Sequence, residues 1–267
     1  MIPKIIHYCW FGGNPLPGSA KKCIASWRKF LPDYEIWAWI EASPQPSSTE
    51  REFLADKVMT FDINCIPYTK EAYETKKYAF VSDYARFDIL YQYGGIYFDT
   101  DVEVLKPLDD IIARGPFMGR EAGAYLRNIC KDFEGDGLAV APGLGLGVEA
   151  GHELYKEFLD AYKELKFCKP DGTLNTKTIV SYTSDILVKH GLNNNNDEPQ
   201  EVEGIWIYPA DVFCPQDHTR GNYVKITERT RTIHLYDATW RDHNTLRYKL
   251  AKVKKWIIRT SIQLKGR

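Results

Sequence analysis

Residues Tyr91–Asp110 read YQYGGIYFDTDVEVLKPLDD, and this stretch decides the fold. Two glycines close a helix, a β-rich run follows, and two aspartates alternate at its end. The helix runs from about Glu71 to Tyr93, with Gly94 and Gly95 as its stop. Between Tyr78 and Tyr93 only Asp83, Arg86 and Asp88 are charged, which marks a buried helix. The strand runs over Gly95–Leu105 and Pro107 ends it. A buried helix feeding a strand whose carboxylates lie at its C-terminal end is an α/β pattern, because open α/β sheets gather ligands at that end.

The flanking sequence extends the same reading. Ile2–Gly12 (IPKIIHYCWFG) is a first strand ending in a glycine turn, Ser19–Asp33 is helical, and Tyr34–Ile40 (YEIWAWI) is a second strand. This βαβ opening predicts a mostly parallel central sheet flanked by helices. Glu41–Glu50 is a Pro/Ser-rich surface connection. GLAVAPGLGLGVE (137–149) reads as a strand and glycine turn leading into a helix over 151–165. EGIWIYPADVFCP (203–215) and RTIHLY (231–236) read as two late strands, and NNNNDE (193–198) as a turn or mobile loop. Gly143, Gly145 and Gly147 lack the spacing of a dinucleotide fingerprint. A glycine turn there would let backbone approach a ligand.

Composition narrows the classes. The 267 residues are enough for a sizeable core, and 13% aromatic content argues against disorder and suits a polar ligand gripped by flat rings. The net charge of −1 hides an asymmetry, because no acidic residue follows Asp242 while the last 22 residues carry eight Lys/Arg. An acidic body with a basic tail does not suit nucleic acid. The six cysteines show no CxxC or zinc spacing, and no sequon or signal-peptide pattern is present. Free thiols in a cytoplasmic protein are therefore expected. No apolar run approaches 18 residues, so no membrane span is expected.

Asp99 and Asp101, two apart on a strand, share one face. With no lysine beside them they suit a hard divalent cation, Mn²⁺ or Mg²⁺, that keeps positions open for phosphate oxygens. The other reading is a strand end entering solvent. Asp83 and Arg86 are i,i+3 neighbours on the buried helix. They form either a structural pair or one that faces the cleft, the carboxylate accepting hydroxyl hydrogens and the guanidinium meeting an anion. His234, in HLYDATW, ends a strand and is either a satisfied structural histidine or part of a metal shell. Trp10 follows the first strand and is either core or a ring stacked on a base.

Four blocks, IPKIIHYCWFGG, SDYARFDILYQYGGIYFDTDVEVLKPLD, YPADVFCP and TIHLYDATW, resemble the DXD-containing glycosyltransferases of family 32. That family includes initiating mannosyltransferases and bacterial capsule enzymes, and is distantly similar to clostridial glucosylating toxins. The resemblance runs in order from Ile2 to about Arg241. It implies a GT-A, Rossmann-like fold, a nucleotide-diphosphate sugar donor (UDP- or GDP-linked) and a retaining transfer to a glycan or lipid-linked glycan. By it, Asp101 binds the metal with His234 and Asp99, while Asp99 also meets the sugar and ribose hydroxyls. Asp83 and Arg86 hold the donor sugar and phosphate region, Trp10 stacks on the base, and Thr239 and Trp240 close over the diphosphate. His7 and Tyr97, in the same blocks, join the donor-binding set, and Asp99, Asp101 and Arg86 are the expected catalytic residues. Thr239 stands where serine is usual, and SYTSDILVK (181–189) stands where many relatives carry Gly-Pro.

The expected organisation is a transferase domain over 1–245 and a basic amphipathic tail over 246–267. Leu246, Leu250, Val253 and Ile257 form one helical stripe among the basic residues. That stripe either lies on an anionic membrane, which would place the protein on the inner face of the plasma membrane, or packs on its own domain. Two competing readings remain. The string YFDTDV also fits a haloacid-dehalogenase-like phosphatase, whose motif ends the first strand, whereas here nearly a hundred residues precede it. A non-catalytic sugar-nucleotide-binding protein is the other, although every acidic and gripping residue is present.

Overall fold

The computed structural model describes residues 1–42, 52–121, 138–195, 197–217, 223–224 and 226–237. Met1–Leu235 forms one compact unit. The expected boundary at 245 and the basic tail lie outside the described residues.

Among the described residues up to Tyr208 there are nine strands: β1 (Ile5–Cys9), β2 (Glu35–Glu41), β3 (Lys57–Phe61), β4 (Gly95–Tyr97), β5 (Val102–Val104), β6 (Phe117–Gly119), β7 (Leu146–Val148), β8 (Gln200–Val202) and β9 (Ile205–Tyr208). All but β5 join one eight-stranded sheet in the order β3-β2-β1-β4-β7-β6-β9-β8. Six of these strands run one way, and β7 and β8 oppose them. A central, mostly parallel sheet flanked by helices is therefore observed, as the βαβ opening predicts. Two short strands, β10 (Gln216–Asp217) and β11 (Tyr223–Val224), pair antiparallel, and β12 (Thr232–His234) pairs antiparallel with β5.

Helix α1 (Gly18–Phe30) buries Ala20, Cys23, Ile24 and Trp27, the stripe that a 3.6-residue period brings to one face. It packs on β5 and fixes it through two polar contacts. The Trp27 Nε1–H donates to Val102 O at 2.8 Å, and the Val104 N–H donates to Ser26 Oγ at 2.9 Å. Helix α3 (Tyr78–Tyr93) is buried over most of its circumference, with Val81, Tyr84, Ala85, Phe87, Ile89 and Leu90 in the core. Phe87 stacks on Phe158 of the helix Glu153–Lys163 at 4.7 Å between ring centroids.

The structure revises four elements. The helical unit expected over 71–93 is two helices, α2 (Pro67–Glu74) and α3. Thr75 turns its hydroxyl onto the Glu71 and Ala72 carbonyls, and Lys76 takes a left-handed φ of 59° that ends α2. The strand expected over Gly95–Leu105 is broken between β4 and β5. Ile205–Tyr208 is a strand, but Pro209 leads into a short helix, Ala210–Phe213, where strand was expected. Among the described residues 138–149, only Leu146–Val148 is a strand of the sheet. Strands β3 and β6 and the helix Ile179–Lys189 were not foreseen. Asn193–Asn195 is a loop whose Asn193 and Asn195 carbonyls accept from the buried Arg120 guanidinium, so these residues are pinned. No disulfide links described residues, and Cys130 lies outside them. Among the described residues no helix is long and apolar enough to cross a membrane.

Candidate functional site

The glycines that close α3 allow β4 to start against β1. Gly95 has φ 102°, and a Cβ there would sit 2.7 Å from Ile5 O and 3.0 Å from His7 Nε2. Parallel pairing of His7 with Tyr97 puts the C-terminal ends of β1 and β4 side by side. Tyr97 is the last strand residue of β4, and the chain then turns, with the Val102 N–H donating to Asp99 O at 3.0 Å. Asp99 and Asp101 therefore flank a turn rather than sharing a strand face, which corrects the geometry expected from their spacing. Pairing on β1 ends there because the next strand, β5, belongs to a different ladder with β12.

Each carboxylate meets a different element. The Arg86 guanidinium lies between two of them, with Nη2 donating to Asp83 Oδ1 at 3.1 Å and Nη1 to Asp99 Oδ2 at 3.2 Å. Its Nε donates to Ser82 O at 2.9 Å, and its Cζ lies 4.9 Å from the Tyr97 ring centroid. The Tyr97 hydroxyl donates to Asp99 Oδ1 at 3.1 Å. Asp101 turns the other way, its Oδ1 3.0 Å from His234 Nε2 on β12, while the Leu235 N–H donates to Asp101 O. The DXD turn thus bridges α3 and β12.

Electrostatics follow from this packing. The Asp83 and Asp99 carboxylates hold Arg86 charged against the penalty of its burial. One guanidinium does not balance two carboxylates, and burial pushes the deeper one, Asp83, up to about 7, with Arg86 opposing and Asp99 adding to the rise. Burial pulls the His234 pKa down, but the Asp101 contact and the charges of Asp99 and Glu121 outweigh it, so the net shift is upward. The Cys9 thiol is pushed up to about 12 by burial, so this sulfur beside the cluster is no nucleophile.

Three of the expected site residues are enclosed by the fold. His7 is wholly buried, its Nε2 2.9 Å from Gly94 O and its Nδ1 accepting from Trp39 Nε1 at 3.1 Å. Both ring nitrogens are used and burial lowers its pKa to about 4, so His7 pins the glycine turn. Tyr97 is 1% exposed and its hydroxyl orients Asp99. Arg86, 3% exposed and engaged by all three nitrogens, links Asp83 and Asp99. By contrast Asp99, Asp101 and His234 keep partial exposure. Trp10, half-buried just past β1, donates Nε1–H to Asn14 O at 2.6 Å. Thr239 and Trp240 lie outside the described residues.

Gly143 was not foreseen in its actual role. Its carbonyl accepts from the Asp99 N–H at 3.0 Å, and a Cβ on it would overlap the Asp99 carboxylate. The glycine series carried the signal of a close backbone approach, but what approaches is the DXD aspartate. Glu121, buried at the end of β6 and felt by His234, carried no sequence signal.

Residues 17–118 match the family described as "Glycosyltransferase sugar-binding region containing DXD motif". The chain is 33% identical over 138 residues to inositol phosphoceramide mannosyltransferase 3 of Schizosaccharomyces pombe, covering 49% of this chain and 33% of that protein. It is 29% identical over 247 residues to subversion of eukaryotic traffic protein A of Legionella pneumophila, covering 82% of this chain and 38% of that one. An uncharacterized glycosyltransferase of Acanthamoeba polyphaga mimivirus is 24% identical over 223 residues, covering 80% and 78%. This chain spans about a third of the length of the two mannosyltransferases of S. pombe that it matches first.

Proposed function

We propose, from the premise that residues 17–118 carry the sugar-binding region of the DXD-containing glycosyltransferases, that this chain transfers a sugar from a nucleotide-diphosphate donor. The donor would be a UDP- or GDP-linked hexose or N-acetylhexosamine. The acceptor would be a glycan or lipid-linked glycan, in the making of a capsule or other surface polysaccharide. The fold expected for such an enzyme is GT-A. The supporting observation is the convergence of Asp83, Arg86, Asp99, Asp101 and His234 where β1 and β4 end. A phosphatase of the dehalogenase type would place its aspartates after the first strand, whereas these follow β4.

The donor set fits a divalent cation. Asp101 Oδ1 and His234 Nε2 lie 3.0 Å apart in an acidic surround that includes Asp99 and Glu121. Among the described residues no group of three or more His, Cys, Asp or Glu is arranged to hold a metal, and a divalent cation here would take its other ligands from phosphate oxygens and solvent. Asp101 and His234 would hold Mn²⁺ or Mg²⁺, with Asp99 beside them. Such a cation, when bound, neutralises a leaving diphosphate. Asp99 is set by Tyr97 and Arg86 to accept hydroxyl hydrogens from the sugar or ribose, and Asp83 offers a second carboxylate for the sugar. Trp10, half-buried just past β1, would stack on the base.

For retention, the acceptor oxygen attacks the anomeric carbon on the face from which the diphosphate leaves. The anomeric C–O bond to phosphate breaks, the new C–O bond forms, and the departing phosphate oxygen takes the acceptor proton. The test is a panel of UDP- and GDP-sugars with Mn²⁺, followed for transfer and slow donor hydrolysis. Turnover that disappears in Asp101→Ala supports the reading. A panel with neither turnover nor binding overturns it, and a sugar adduct trapped on Asp83 or Asp99 would overturn the front-face route.

A further inference from the structure

The turn that follows β1 is tied down at each of its first residues, and the ties come from three different elements. Parallel pairing sets Cys9 of β1 beside Trp39 of β2, and the Trp10 N–H donates to Trp39 O at 2.8 Å. Phe11 is 6% exposed, with its ring 5.9 Å from that of Phe61 on β3. The Gly12 N–H donates at 3.2 Å to Oε2 of Glu41, the buried last residue of β2. Tyr78, the first residue of α3, lies against the same glycine, since a Cβ on Gly12 would stand 2.1 Å from its Cε2. Tyr78 is backed in turn by Tyr73 of α2 at 5.3 Å between ring centroids. The Trp10 Nε1–H closes the turn on Asn14 O.

Gly12 has φ +90°, and with a phenol ring across it that position has room for glycine alone. A buried carboxylate spent on one backbone N–H is a charge-assisted anchor, stronger than a neutral bond. The Trp10 indole, by contrast, is left half-buried. It stands at the sheet edge where β4 also ends, because β1 pairs in parallel with both β2 and β4. Tyr78 shares α3 with Asp83 and Arg86, so one helix touches both this turn and the carboxylate cluster. Tyr78 and Asp83 lie five residues apart on it, about 7 Å along the axis. A flat ring fixed at one distance from the DXD turn is a preformed surface for another flat ring.

We propose that Glu41 and Tyr78 are positioning residues that hold the Trp10 indole as a platform for the base of the nucleotide. Glu41 anchors the turn through the Gly12 N–H, and Tyr78 keeps Gly12 from moving toward α3. The base then stacks on a ring that does not have to be ordered first, which removes a cost of binding. The base comes from the transferase reading, on which this role rests; the anchoring of the ring does not depend on it.

The test is isothermal titration of UDP and GDP with Mn²⁺ against ribose 5-diphosphate, which lacks the base, into the parent chain and variants whose folding is checked by thermal unfolding. Trp10→Ala should weaken the nucleotide by about fivefold to a hundredfold, the range of base–aromatic stacking. Glu41→Ala and Tyr78→Ala should each weaken it by about threefold to tenfold and leave ribose 5-diphosphate within about twofold, since part of the stacking is lost and the diphosphate contacts are kept. Both effects should vanish in the Trp10→Ala background. Glu41→Gln, which keeps an acceptor oxygen, should restore affinity to within about twofold of the parent. Equal weakening of the nucleotide and of ribose 5-diphosphate would overturn the proposal, as would an effect that persists without Trp10, because a merely structural role predicts both. If Glu41→Ala does not fold, Tyr78→Ala at a half-buried position decides. If the parent binds neither nucleotide, the transferase reading fails separately, and the indole N–H resonance of Trp10, assigned by its loss in Trp10→Phe, reads the anchoring. That resonance should move or broaden in Glu41→Ala and Tyr78→Ala, and an unchanged resonance would overturn the positioning role.

Discussion

Substituting Gly143 by alanine tests the geometry of the DXD turn with the smallest possible change. The backbone at Gly143 accepts from the Asp99 N–H at 3.0 Å, and a Cβ would overlap Asp99 Oδ2 while standing 3.1 Å from Arg86 Nη1. The carboxylate must retreat by more than about 1 Å, a misplacement that costs on the order of 10²-fold in rate when the group positions substrate. The retreat also breaks the 3.2 Å contact to Arg86 and leaves that buried cation with one carboxylate instead of two, for about 1–3 kcal/mol of stability. The assay is the initial rate of nucleotide-sugar turnover, with urea unfolding run in parallel. Gly18→Ala is the control, because nothing lies within 4 Å of its Cβ position. Turnover within about twofold of the parent for Gly143→Ala, an effect far below what misplacement of a positioned group costs, would refute the assignment of Asp99 as a positioned sugar ligand.

Arg86→Lys should abolish turnover and lower stability by about 3–5 kcal/mol, since a point charge on a flexible stem does not serve Asp83, Asp99 and the Ser82 carbonyl together; calorimetric unfolding checks it, and a shift under 1 kcal/mol, the range of exposed pairs, would contradict it. His7 is buried neutral with its pKa lowered from 6.5 to about 4. A depressed folded pKa means that the unfolded chain takes up the proton first, so this contribution is complete above pH 6.5 and is lost as pH falls toward 4. The loss amounts to about 3 kcal/mol. Urea unfolding across that range, with an NMR titration of the His7 ring, measures it, and a ring titrating near 6.5 would remove the claim. Trp27→Phe removes the 2.8 Å bond to Val102 O and leaves a buried carbonyl short of a donor, for about 1–3 kcal/mol; an unchanged urea midpoint would show that α1 does not hold β5.

Much of the scaffold was readable because its signals are local. The glycine pair after Tyr93, the all-round apolar character of α3 and the alternation of YEIWAWI each follow from a period or a stop within a few residues. The break at Lys76 was not readable, since an ordinary lysine takes the left-handed conformation there under tertiary constraint. The splitting of the DXD strand was hidden for a similar reason. Whether the chain continues or turns after Tyr97 depends on β12, more than a hundred residues away, which captures β5. At the site, residue types signalled carboxylates and a guanidinium, but not which way each faces. His7 and Tyr97 sit in the right blocks, yet burial and partners turn them into supports. Gly143 became legible only when the empty space at its Cβ was seen to be filled by Asp99.

The central claim is that Asp101 and His234 complete a cation site with the diphosphate of a nucleotide. Isothermal titration of UDP and GDP, each with and without Mn²⁺, into the parent chain, Asp101→Asn and His234→Ala tests this most directly. Nucleotide binding should require the cation in the parent and be lost in both variants while their folds persist. Binding that ignores the cation, or that survives unchanged in Asp101→Asn, would contradict it.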